Sequence, residues 1–362
     1  MNVVKHIVNR ILKYIGMDVH RDSTTVVVLD SQGKVLMEVT LKTEATVLVD
    51  FIRGLSGTLY LTFEEGTYSA WLYDLLSPYV EKLIVCNPRK NATRGNKSDR
   101  RDARKLAERL RAGQLSSVYH EPLARRTLKE LAASYLTVVR DGTRVMNRLK
   151  AIYRGRGIRC EGKQVYSPRH RQRWLEQLKE PGVHQRAELL YLELDGLLKL
   201  RAPARRALLT EARKHSARRI LASIPGLGPI RVALLLALLQ TPYRFCTKRH
   251  LWSYGGLGLI TRGSGQYHLV GGELVSSPRA VLVRGLNPEH HPELKAILKG
   301  AALAVIQSPG PLQEFYLRCL DHGTKPELAR LTVARKIATL VWTLWKKGEV
   351  YDAERLRQSQ AA

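Results

Sequence analysis

The feature that most restricts the fold is a succession of β-forming runs close to the N-terminus: YIGMDVH, then TTVVVLD, a turn at Ser31-Gln32-Gly33-Lys34, then VLMEVTL. Runs of this length, rich in β-branched residues and separated by a tight turn, predict a three-stranded meander. The spacing then predicts a helix from Ala45 to Arg53, a strand LYLTF leading into Glu64, a helix from Ala70 to Leu76 and a strand KLIVCN. A loop rich in Arg, Lys and Asn follows and opens a helix at about Ser98. Three antiparallel strands followed by alternating helices and parallel strands is the order of an α/β RNase H-like (RuvC-like) domain. We assign it to residues 1–122.

Residues 123–219 read as helical, with Leu128, Leu131, Leu136, Val139, Met146 and Leu149 on one stretch and an apolar run from Leu189 to Leu200 on another. Two long helices with charged outer faces predict an antiparallel coiled-coil arm. Its connector, RGRGIRCEGKQVYSPRHRQRW, is basic and carries Tyr166 and Trp174, a composition suited to phosphate contact and base stacking and equally to a solvated loop. The third region, 220–362, is expected to be mainly α-helical. It begins with ILASIPGLGPIRVALLLALL, whose Pro225-Gly226-Leu227-Gly228-Pro229 turn resembles a helix-hairpin-helix. Trp252, Trp342 and Trp345 sit at helical positions and are expected in the core.

Charge sets the class of partner. Sixty Lys and Arg oppose 32 Asp and Glu, a formal net charge of +28. Such an excess repels itself unless a polyanion neutralises it, so nucleic acid is the expected partner. The four cysteines, Cys86, Cys160, Cys246 and Cys319, show no C-x-x-C pairing and give neither a zinc site nor a disulfide framework. The longest apolar run, Val232 to Leu239, is too short for a membrane span. The expected location is the cytoplasm, with no export.

Four carboxylates form the candidate site. Asp18 lies where the first strand should leave the sheet, and Glu64 follows a strand that runs beside it in this topology. Glu65 is a rival, because alternation puts only one of the two on the site's face. Asp99 and Asp102 share a helix face and extend the apolar stripe Ala103, Leu106, Ala107 and Leu110. Hard oxygen ligands meeting at a sheet edge suit Mg²⁺ or Mn²⁺. The bland alternative makes Asp99 a helix N-cap and Asp102 a first-turn carboxylate favoured by the helix dipole. His20 and His120 each stand alone and read as surface residues or as neighbours of ligands.

Five motifs occur in order: GMDVH, FEEGTYSAWLYDLL, CNPRKNATRGNKSDRRDARKLAERLR, IPGLGPI and WSYGGLGLITRGSG. Together they resemble the DEDD-type insertion-sequence transposases of the IS110 group, which are bridge-RNA-guided serine recombinases. The resemblance implies an RuvC-like domain joined by a coiled-coil arm to a transposase domain. Its four acidic residues match Asp18, Glu64, Asp99 and Asp102, which decides for Glu64. The serine of its S-G motif matches Ser264 in RGSG, where this sequence departs from the commoner double-serine and S-G-G forms; Ser276 and Ser277 are rivals.

What the resemblance implies is a serine attack on a DNA phosphodiester, a phosphoserine link and strand exchange beside a metal-bound acidic site. The implied partners are donor and target double-stranded DNA, a non-coding guide (bridge) RNA and further copies of the chain, a dimer assembling to a tetramer. Arg262 is placed to offset charge at Ser264, and His268 is a candidate base. Two other readings compete: a RuvC-like metal-dependent nuclease that uses water, and a basic RNA-binding protein without catalysis.

Overall fold

The computed structural model describes residues 11–88, 98–120, 126–262, 267–276 and 282–361. The chain divides between residues 124 and 125 into two compact units.

The first unit is a mixed sheet with helices on both faces. Its strands are β1 (Leu12–Val19), β2 (Ser23–Leu29), β3 (Val35–Lys42), β4 (Thr58–Glu64), β5 (Lys82–Cys86) and β6 (Ser117–Val118), in the spatial order β3-β2-β1-β4-β5-β6. β1, β2 and β3 pair antiparallel, and β4 and β5 run parallel to β1. This is the RNase H-like order, as the sequence predicts. The meander forms because Val26–Leu29 and Ile15 and Met17 are buried. Val26 and Val28 share a core with Ile15, Met17, Leu61 and Phe63 on one face, under α1 (Ala45–Gly54) and α2 (Ser69–Leu76). The opposite face, with Val27 and Leu29, packs on α3 (Asp99–Arg111).

The alternation of β1 therefore sends Gly16 toward α3. A Cβ at Gly16 would collide with the backbone carbonyl of Ala103 and the backbone nitrogen of Ala107. Only glycine lets the helix lie this close to the sheet, and the helix N-terminus is then held beside the end of β1. Gly16→Ala is expected to destabilise the protein by about 1–3 kcal/mol through overpacking. Chemical denaturation of the full chain measures it.

The second unit is mainly helical. Its arm is built from α4 (Arg126–Arg154) and α5 (Pro181–Ala212). Leu128, Ala132 and Tyr135 of α4 share a core with Leu208 and Ala212 of α5, whereas Val145, Leu149 and Tyr153 share another with Ala187, Tyr191 and Leu194. The start of one helix meets the end of the other, so the pair is antiparallel. The connector folds onto the distal core: Val165 and Leu175 are buried in it, Trp174 packs edge-on against Tyr153 with ring centroids 5.2 Å apart, and Lys150 stands over Tyr166. The Tyr166 and Trp174 rings are both partly buried against this core. Arg171 makes two 2.7 Å hydrogen bonds to Asp195 and lies over the Tyr191 ring. The outer face of α5 departs from the expected charged surface, because Leu189, Leu192, Leu198 and Leu200 are exposed.

Beyond the arm come α6 (Ala217–Ser223), α7 (Pro229–Leu239), α8 (Lys248–Tyr254), α9 (Pro292–Val305), α10 (Pro311–Asp321), α11 (Pro326–Lys347) and α12 (Ala353–Ala361). Gly226, in the turn between α6 and α7, has φ +79°, and a Cβ there would come within 2.6 Å of Val305 Cγ1 and 2.7 Å of the Ala301 carbonyl oxygen. This glycine serves close packing on α9. The tryptophans lie against the same core as expected, with Trp252 Nε1 donating to the Arg335 carbonyl and Trp342 Nε1 to that of Phe245. The described residues of the glycine-rich stretch between α8 and α9 include short strands. These are β7 (Leu259–Arg262) paired with β10 (Leu282–Leu286), and β8 (Tyr267–Val270) paired with β9 (Glu273–Ser276). Among the described residues, no helix is long and apolar enough to cross a membrane.

Candidate functional site

Asp18 is the penultimate residue of β1, two positions beyond Gly16 and on the same face. Asp99 is the first residue of α3. The approach that Gly16 permits brings the two acids together, and His20 stands with them. Among the described residues, Asp18, His20 and Asp99 are the group whose potential ligand atoms all lie within 4.8 Å of one another. His20 Nε2 is 3.3 Å from Asp18 Oδ2 and 3.5 Å from Asp99 Oδ1.

The N-cap of α3 is Ser98, whose hydroxyl accepts from the Arg101 backbone N–H. The reading of Asp99 as the cap is thereby corrected: its carboxylate is left to face Asp18 and His20. Asp102 lies one turn along, with Lys105 Nζ 3.9 Å away. The stripe Ala103, Leu106, Ala107 and Leu110 is buried as the helix phase predicts. Asp99, however, is 58% exposed and Asp102 31%, because the helix start extends past the covered sheet.

Glu64 closes β4. β1 and β4 pair with Met17 level with Phe63, so Asp18 and Glu64 are the next residues along two parallel strands. Both follow the face of Gly16 and Thr62, and alternation sends Glu65 elsewhere; its backbone N–H donates to the Cys86 carbonyl. Glu64 lies outside the 4.8 Å group and sits near Cys86, whose thiol is pushed up to about 11 by burial and then by the Glu64 carboxylate.

Burial is the main cause that raises the Asp18 carboxyl above its ordinary value; His20 opposes it, and Asp99 and Asp102 add to it as like charges. A half-buried carboxylate facing two others is a site short of positive charge, and a divalent cation held by oxygen ligands supplies it. Because the folded-state pKa is raised, ionised Asp18 costs stability above that pKa and the cost vanishes as the pH falls below its unfolded value. Asp18→Asn is therefore expected to keep or raise the melting temperature at neutral pH without added metal, with the difference shrinking on acidification. Thermal unfolding across pH 3 to 8 (roughly the span on both sides of a carboxylate's titration) reads this directly.

His20 is the residue whose part the sequence understated. Its signal is local: it lies two positions after Asp18 at a strand end, so both side chains project from one side. His120 instead stacks on Tyr73, with ring centroids 5.3 Å apart. In the second unit, Ser264 and Ser277 lie outside the described residues. Arg262 ends β7, Ser276 ends β9, and His268 lies in β8 with its backbone level with Val275.

Comparison with known proteins bears on both units. Residues 15–155 match the family model of the DEDD IS110 transposases, described as a transposase, and residues 218–317 match the Transposase IS116/IS110/IS902 family. Two models of one family, in order, account for more than half of the sequence. The chain belongs to the IS110 family of transposases. A relative is the mini-circle putative transposase for IS117 of Streptomyces coelicolor (strain ATCC BAA-471 / A3(2) / M145), 36% identical over 112 residues. That alignment covers 31% of this chain and 24% of the relative, so the match spans about a quarter of the relative's length. The first IS110-family match contains the whole acidic edge of the sheet and ends one residue beyond α4. Membership in a DEDD transposase family implies a divalent metal, and the oxygen-rich cluster of Asp18 and Asp99 fits one.

Proposed function

We propose that this IS110-family protein is a DNA transposase that exchanges strands at specific sites for an insertion sequence, guided by a non-coding RNA. The observation that carries the reading is the convergence of Asp18, His20 and Asp99 at the end of β1, inside the segment that matches the DEDD transposase model. Asp18, Asp99, Asp102 and Glu64 are the residues that would hold Mg²⁺ or Mn²⁺. When bound, such an ion neutralises charge that builds on phosphate oxygens during phosphoryl transfer. Asp18 would hold it from the strand end and Asp99 from the helix start, with His20 Nε2 within 3.5 Å of both carboxylates.

Ser264 is the proposed nucleophile: its Oγ bonds to a DNA phosphorus as the 3′ or 5′ oxygen of the broken phosphodiester leaves with a proton. Attack by the freed hydroxyl of another strand then reverses the link, so bonds are exchanged without net hydrolysis. The sequence neighbours of the serine, Gly263 and Gly265, carry no side chains. The net charge of +28 suits donor and target duplexes and a guide RNA, and further copies of the chain complete the assembly. The division of the chain into 1–122, 123–219 and 220–362 gives the acidic site, the arm and the serine-bearing region separate modules.

The test is recombination between donor and target DNA by purified protein, with and without RNA transcribed from the flanks of its element and with or without Mg²⁺. Joined products that require both RNA and metal are expected. Released, hydrolysed ends without joining would instead establish the nuclease reading, and binding without any DNA product would establish the RNA-binding one.

A further inference from the structure

The turn that closes α7 is a strained point of the second unit. Among the described residues, Gln240 is the one non-glycine residue with a positive φ, 63° with ψ −50°. The Thr241 N–H donates to the Leu239 carbonyl across it at 2.6 Å, so Gln240 is the centre of a γ-turn of the rare, strained hand. Glycine makes such a turn without strain, having no Cβ. Glutamine there places a side-chain amide on the wall of a cavity, and strained backbone of this kind gathers at ligand-binding sites.

The cavity measures about 360 Å³ and lies within the second unit. Among its lining residues are Lys214, His215 and Ser216 from the link between α5 and α6, Gln240 and Tyr243 from the turn after α7, and Trp345 from the end of α11. Lys214 is held by Glu211, Nζ to Oε2 2.6 Å. Among the described residues, however, the His215 ring, the Ser216 hydroxyl, the Gln240 amide and the Trp345 indole N–H have no hydrogen-bond partner. Tyr243 is 71% exposed, yet its ring is tethered: the hydroxyl donates to the Lys346 carbonyl at 3.4 Å, and Lys346 Nζ stands 5.6 Å from the ring centroid.

An amide, an imidazole and an indole N–H beside a tethered phenol ring suit a planar heteroaromatic ligand, which offers a face to stack and an edge of donors and acceptors. Clefts that hold small ligands run from about 300 to 1,000 Å³, so this one suits a single base and not a longer segment. Arg213 and Arg218 are exposed and each is next in sequence to a lining residue, a supply of charge for flanking phosphates. We infer that this cavity receives one unstacked nucleobase of a nucleic-acid strand, with Tyr243 as the stacking platform and Gln240, His215 and Trp345 meeting its edge. Such a pocket rests on the nucleic-acid partner proposed above and on none of the DNA chemistry. It is tested without metal or joined product, and its failure leaves the acidic site standing.

Fluorescence anisotropy of the full-length protein in EDTA, at salt high enough to weaken phosphate contacts, compares labelled single strands of A, C and U or T, roughly twelve nucleotides long, with abasic strands of the same length. The abasic strands carry the same phosphates and no bases. The parent is expected to prefer a base-bearing strand by about fivefold or more, the scale of one stacked base. Tyr243→Ala should remove that preference and leave affinity for the abasic strand unchanged, whereas Tyr243→Phe should keep both. Gln240→Gly should weaken the preference with a melting temperature equal to or above the parent's, because the turn is then unstrained. Ribose and deoxyribose series separate the sources: a preference confined to RNA assigns the base to the guide, one confined to DNA assigns it to an opened duplex, and one shared by both supports a pocket that ignores the sugar. Equal binding of base-bearing and abasic strands by the parent, a Tyr243→Ala loss that is the same on both, or a preference that Tyr243→Ala and Gln240→Gly leave intact each overturns the inference. Should Tyr243→Ala fail to fold, Gln240→Gly decides.

Discussion

Asp18→Asn should abolish metal-dependent DNA joining while leaving the protein folded and bound to nucleic acid. Asparagine keeps the shape of the side chain and removes the charge that a cation and the neighbouring His20 would engage. The expected loss is on the order of 10²–10³-fold in the rate of DNA cleavage, the scale seen when a preorganised electrostatic group is removed from an active site. Asp99→Asn should fall in the same range, since its oxygen shares the 4.8 Å group with Asp18. Asp102→Asn and Glu64→Gln are expected to lose less of the first metal contact, because both stand outside that group. Single-turnover cleavage of labelled DNA over a Mg²⁺ series separates these outcomes: a metal ligand shifts the Mg²⁺ requirement, whereas a residue that matters only for folding lowers melting temperature as well.

Ser264→Ala should leave nucleic-acid binding and metal binding intact and eliminate covalent attachment of DNA to protein. Removing a nucleophile that no neighbour replaces costs on the order of 10⁴-fold or more. Denaturing gel electrophoresis after incubation with labelled DNA reads the adduct, and peptide mapping locates it. An adduct on Ser276 or Ser277 would transfer the role to that serine. Recombination at the parent rate by Ser264→Ala would remove the serine chemistry from the proposal and leave the acidic site to be judged separately.

Much of the first unit was legible because its strands bury alternate β-branched residues on both faces. The run from Thr24 to Leu29 admits no helix, and Asp18 and Glu64 are fixed to strand ends by the residues before them. The phase of α3 was legible for the same reason, with Ala103 and Leu106 inside. What periodicity does not convey is distance across elements. The demand for glycine at position 16 arises from the backbone of a helix nearly ninety residues later, so the meeting of Asp18 with Asp99, and the place of His20 beside them, is set by tertiary packing that no local pattern encodes. The short strands between Leu259 and Leu286 are not legible in the sequence because each is only a few residues long and glycine interrupts them, leaving too little alternation to read. The connector's composition left phosphate contact with base stacking and a solvated loop equally open, and its rings Tyr166 and Trp174 are partly buried against the arm. Composition gives no direction to a side chain.

The edge of the first sheet, where Asp18 and Asp99 meet, is the proposed divalent-metal site. Titration of the full-length protein with Mn²⁺, followed by the paramagnetic resonance of the free ion, tests it without reference to any DNA substrate. Saturable binding is expected, and Asp18→Asn and Asp99→Asn should each weaken it strongly, with both variants folded. Binding equal to that of the parent in both variants, or no saturable binding by the parent, would contradict it.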